Sequence, residues 1–288
     1  TVFTAKQIKE LQKRNAQLGF TMSNLILSDE LKKEVYTKAE RLIALHKSGA
    51  LGGEVMPEDA NPGLDNASKE NYLYFTLPMA LNYQRNSYKL WEAAKLTYED
   101  SSVSDVFDPK AVLGMSEDLL REKLTKYKVA LQPNKHTQIW RTLCKTFDEL
   151  FSDDVRELFK YNEYSIKRIK EYILKNKKMF PYLSGPKILN YWLYVMLQYT
   201  DANFADREDI TVAPDTHVIQ ASVKLGLLSQ EEADKSDARE HVSELWQAVF
   251  ENTKHCPIDI HTPLWLWSRN GFTVQIGDAN DEFIQNRL

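Results

Sequence analysis

Apolar residues recur at spacings of three and four in nine stretches of this 288-residue chain: 5–19, 29–47, 71–97, 117–130, 136–152, 164–178, 187–199, 216–225 and 230–253. That spacing lines one face of an α-helix, whereas a half-buried strand needs strict alternation. Glycine and proline number only 10 each, and no alternating β-branched run is bounded by hairpin-turn residues. The pattern predicts an all-α fold. Thr4 with Gln7, and Ser229 with Glu232, have the capping-box form that satisfies orphan amides at a helix start, and Gly226 is suited to close a helix. The stretches 48–66, 98–114 and 200–214 lack periodicity. The first is rich in Gly, Pro and Asn, so it reads as a linker or lid dividing an N-terminal helical extension, 1–66, from a main domain, 67–288.

Several function classes are excluded. Two cysteines, Cys144 and Cys256, cannot build a disulfide framework, a Cys-rich zinc ribbon or a four-Cys iron–sulfur cluster. The most apolar stretch, 188–199, is interrupted by Asn190 and Gln198 and falls short of the roughly 20 residues a membrane span needs. The Lys-rich residues 1–15 contain no apolar core of a secretory signal, so the expected compartment is the cytoplasm (nucleoid) or the nucleus. His255, Cys256 and His261 match no standard zinc spacing, Cys256 has no nucleophile turn around it, and no Gly-rich nucleotide loop is present. No metal or cofactor is expected.

The formal net charge of −4 argues against nucleic acid held by charge alone, but the charge is unevenly spread. From Arg156 to Trp192 the chain carries nine Lys/Arg and three Glu, a local +6, which leaves about −10 for the remainder. This basic run leads into Phe180-Pro181-Tyr182-Leu183-Ser184-Gly185-Pro186-Lys187, which has the pattern of a helix, a tight turn and a second helix opened by Pro186. The backbone amides of such a turn can cradle a phosphate. Further on, Pro214-Asp215-Thr216-His217-Val218 follows an apolar extended approach and starts an amphipathic helix, so Asp215 is expected as its N-cap.

Taken in order, these two segments resemble the helix-hairpin-helix DNA glycosylases, the base-excision superfamily that includes the 8-oxoguanine glycosylases. Gly185-Pro186-Lys187 matches the family's Gly-x-Lys hairpin end, and Pro214-Asp215-Thr216-His217-Val218 its Val-Asp-Thr-His-like element. Leu81-Asn82-Tyr83-Gln84-Arg85-Asn86-Ser87 looks like its minor-groove turn, and Pro133-Asn134-Lys135-His136 like its Asn-Lys-Ala helix start. The resemblance spans roughly 71–272. Three departures stand out: Tyr182-Leu183-Ser184 replaces Pro-Gly-Val, Lys187 and Asp215 are 28 positions apart because 200–209 is inserted, and the cluster cysteines are missing.

The resemblance implies two helical subdomains with the active-site cleft between them, and removal of a damaged base, an oxidised purine being the best guess, from double-stranded DNA by a monomer. Lys187 would be the amine that forms a Schiff base after burial lowers its pKa, and Asp215 the carboxylate that stabilises positive charge on the sugar. The flipped base would be walled by Tyr191, Trp246, Phe250 and Trp265. Gln84, Arg85, Ser184, Gly185 and His217 would contact DNA, with Gln84 filling the gap in the stack. Two alternatives stay open: an N-glycosidase acting on a free modified nucleoside or nucleotide, and a non-catalytic helical binding module.

Overall fold

A computed structural model of the chain describes residues 27–52 and 56–277; the helix expected over 5–19 and the Thr4–Gln7 cap lie outside them. Every regular element among the described residues is helical, and none is a strand. These residues form two compact units, one made of 27–52 with 211–277 and the other of 56–210.

The first unit opens with α1 (Asp29–Lys47). The Ser28 hydroxyl accepts from the Leu31 amide at 3.1 Å, Asp29 and Glu30 sit at the positive end of the helix dipole, and His46 and Lys47 at the negative end. Val35, Ala39, Leu42 and Ile43 form its buried stripe.

The second unit follows. The periodic stretch 71–97 is not one helix but three: α2 (Lys69–Tyr74), α3 (Leu77–Ala80) and α4 (Ser87–Glu99). Pro78 opens α3, and Asn86 caps α4 by accepting from the Lys89 amide at 3.0 Å; the pattern ran on because all three helices bury residues in one core. The supposedly irregular 98–114 contains α5 (Pro109–Gly114), started by Asp108 as cap and Pro109 at its first position. Next come α6 (Glu117–Thr125), α7 (Pro133–Phe151), α8 (Val155–Tyr161), which periodicity missed, α9 (Ile166–Lys175) and α10 (Pro186–Tyr199). Trp91, Trp140 and Trp192 are fully buried here; Trp140 donates to the Val106 carbonyl at 2.8 Å and Trp192 to the Thr76 hydroxyl at 3.1 Å. The segment 200–209 is pinned to α9, whose first amides, Ile166 and Lys167, donate to the Asp206 carboxylate at 2.6 and 3.1 Å.

The chain then completes the first unit with α11 (Thr216–Lys224), α12 (Gln230–Ala233), α13 (Ala238–Phe250) and α14 (His261–Arg269). The expected single helix 230–253 is broken between Ala233 and Ala238, while the Ser229–Glu232 capping box forms as read. α1 packs against α13 and α14, with Tyr36 edge-on to Phe250 at 5.8 Å, and α11 lies along α14. Residues from both ends of the described chain therefore share one core.

Candidate functional site

The hairpin lies in the second unit. Its turn is closed by its own amides: Leu183 N–H donates to the Pro181 carbonyl at 2.7 Å, Ser184 to Phe180 at 3.0 Å and Gly185 to Tyr182 at 3.0 Å. The phosphate cradle expected of these amides is therefore used internally. What the turn leaves for an anion is the start of α10, where Gly185 has no side chain to cap the helix and Pro186 has no amide to offer. Tyr182, within the turn, takes the left-handed conformation, φ +64°. The strain is held by its hydroxyl, which donates to the Asn82 carbonyl at 2.5 Å, and by edge-on packing against Tyr83 at 5.6 Å.

That contact brings the hairpin and the 81–86 loop together. Gln84 is exposed at φ +44°. Arg85 is spent elsewhere: its guanidinium donates to the carbonyls of Val129 and Lys128 at 2.5 and 2.6 Å, and burial pulls its pKa down to about 10. Ser184 is buried and half-buried Gly185 serves as the N-cap, so of the four contacts placed in this unit only Gln84 presents an exposed side chain.

Lys187 is exposed in the first turn of α10, so the burial expected of it is not found among the described residues. Lys170, in the same basic run, is half-buried. Its ammonium donates to the Asp209 carbonyl at 2.6 Å and to Asn190 Oδ1 at 3.2 Å, and burial lowers its pKa against the opposing charges of Asp209 and Asp206. Sequence reasoning counted Lys170 as one more member of the basic run. Its place on the apolar side of α9, one position after buried Ile169, was the available signal. Within that run Arg156 pairs with Asp154 at 2.7 Å and Arg168 with Glu163 at 2.6 Å, while Lys167, Lys175, Lys177 and Lys178 are exposed.

Asp215 lies in the first unit, as the N-cap expected. Its Oδ1 accepts from the Val218 amide at 2.9 Å, and its Oδ2 accepts from the indole N–H of Trp265 at 3.1 Å. The carboxylate is half-buried and each oxygen has a donor. One turn before Trp265 on α14 is His261, fully buried, whose pKa is lowered by burial and raised by the neighbouring Asp215 charge, the burial prevailing. His217 contacts the Ser268 hydroxyl through Nδ1 at 3.2 Å and meets the Trp265 ring edge-on at 5.7 Å. Arg269 places its guanidinium 5.2 Å from the same ring.

The expected base walls divide. Trp246 is fully enclosed in the core of the first unit, donating to the Ser222 hydroxyl at 2.9 Å and stacked on buried Phe250 at 5.7 Å. Neither presents a face to a base, because the same one-turn spacing that made them neighbours points both toward α1 and α11. Trp265 is also buried, with its N–H committed to Asp215. Tyr191, in the second unit, is half-buried and stacked on Tyr194 at 5.7 Å. Among the described residues no group of three or more His, Cys, Asp or Glu side chains is gathered as metal ligands, and no helix is long and apolar enough to cross a membrane. No family model matches the chain, and no curated protein matches it.

Proposed function

We propose that the protein is a DNA N-glycosylase with associated lyase activity, excising a damaged base, an oxidised purine as first candidate, from double-stranded DNA as a monomer of the cytoplasm (nucleoid) or nucleus. One observation carries this reading: the Asp215 carboxylate, kept at a helix N-terminus with a donor on each oxygen, is an anion fixed in place and direction. Cleaving an N-glycosidic bond builds positive charge on the sugar, and a fixed anion lowers that barrier without reorganising. The C1′–N bond breaks with its electron pair leaving on the base, which takes a proton. The Lys187 amine adds to C1′ and loses a proton, the sugar ring opens to the Schiff base, and loss of a C2′ proton expels the 3′ phosphate. Lys187 holds this role through its match to the hairpin motif.

A second reading has its own support. The hairpin amides are consumed within the turn and Arg85 is bound to carbonyls, which weakens the backbone grip duplex DNA needs and favours a free modified nucleoside or nucleotide as substrate for the same Asp215 chemistry. Borohydride trapping on duplex oligonucleotides with different lesions separates the two. An adduct lost in Lys187→Gln supports the glycosylase/lyase; base release only from free nucleosides, without adduct, supports the second; neither activity leaves a helical binding module.

A further inference from the structure

Capping α11 requires one oxygen of Asp215, and the Val218 amide uses it. The other oxygen is held by a residue 50 positions away in sequence, on a different helix. That indole is not a loose contact: Trp265 is 7% exposed, His217 meets its ring edge-on, the Arg269 guanidinium covers it, and α14 packs along α11. A buried indole N–H needs an acceptor, and an ionised carboxylate is a better one than a neutral acid. Two donors on two oxygens fix the plane of the carboxylate, where one would leave it able to rotate about χ2. The neighbouring His261 is kept uncharged by its burial, so no imidazolium cancels the anion from that side.

We propose that Trp265 is the positioning residue of the Asp215 carboxylate, holding Oδ2 through its N–H so that the ionised group faces the sugar in one orientation. This rests on the reading of Asp215 given above. It removes Trp265 from the base-stacking wall and gives it a role exerted through Asp215.

The test is Trp265→Phe, with benzothienylalanine at position 265 as a second variant that keeps the bicyclic shape and lacks the N–H. Both should lower kcat for base release about tenfold to a hundredfold with KM nearly unchanged, as loss of an orienting partner does. In Asp215→Asn the same changes should add nothing further. Unchanged kcat in the benzothienylalanine protein would overturn the proposal while leaving the reading of Asp215 intact. If the wild-type protein releases no base from DNA or nucleosides, that reading fails, and the NMR resonance of the Trp265 indole N–H decides the present point separately. An indole proton that shifts upfield in Asp215→Ala supports the contact; an unmoved resonance refutes it.

Discussion

Glu58 is a carboxylate buried in the second unit. It is 0% exposed in the short 3-10 turn Pro57–Asp59, and among the described residues no other residue's donor reaches either of its oxygens. The turn packs on α4, and the neighbouring hydroxyl of Tyr199 donates instead to Asp59, at 2.7 Å. Burial first, and then the adjacent Asp59 charge, push the Glu58 carboxyl up from 4.5 to about 7. At about 1.4 kcal/mol per pH unit, that difference is worth about 3 kcal/mol. The folded carboxyl holds its proton more tightly than the unfolded one, so the contribution of Glu58 to the unit's stability is greatest below pH 4.5, is lost as pH rises to about 7, and is level above that. Glu58→Gln keeps the shape and removes the titration. The assay is urea unfolding at about pH 5 and about pH 8, read by the fluorescence of buried Trp91, Trp140 and Trp192. Comparing the two proteins at both pH values cancels every other titrating group. The Gln variant should gain on the order of 2–3 kcal/mol relative to wild type between the two conditions. Glu58→Met should follow the same pH course. Wild-type and Gln curves that run parallel across pH would refute the claim that Glu58 is desolvated in the folded unit.

Two further outcomes follow from groups whose partners are named above. Arg85→Ala strands the carbonyls of Lys128 and Val129 and should cost roughly 1–3 kcal/mol in urea unfolding; unchanged stability with a DNA salt slope reduced by about one would return Arg85 to phosphate binding. Asp206→Ala removes the outside cap of α9 and should cost about 1–2 kcal/mol at neutral pH. Burial opposes the charge of Asp206, but the amides of Lys167 and Ile166 and the Ser165 hydroxyl outweigh it and lower the pKa. Its contribution is therefore present above the ordinary carboxylate range and lost as pH falls below it, so the difference between Asp206→Ala and wild type should shrink toward pH 3 in the same assay. A gap that stays constant down to that pH would show that the carboxylate charge is not what holds the helix start.

Local chemistry determined the helices. Spacing of apolar residues, Ser28, Ser229 and Asp215 as caps, and Pro109, Pro133 and Pro186 at first positions all act within about one turn, so the chain displays them in order. Periodicity failed where it depended on continuity. α2, α3 and α4 bury residues in one core, and no change of residue type marks the break at Phe75–Thr76, although the polar run 82–86 does mark the second. Asp215 could be placed at a helix start from Pro214-Asp215-Thr216, and the Gly185-Pro186-Lys187 turn from its composition. What those residues do with their atoms depended on groups far away in sequence. The second oxygen of Asp215 is settled by Trp265, Lys170 is drawn inward by Asp209 and Asn190, and Arg85 is claimed by the turn at Lys128. Burial and hydrogen-bond partnership are set by which surfaces meet. Charge counted along the chain could therefore identify a basic run, and only packing could decide that one of its lysines is drawn half inside and another left exposed.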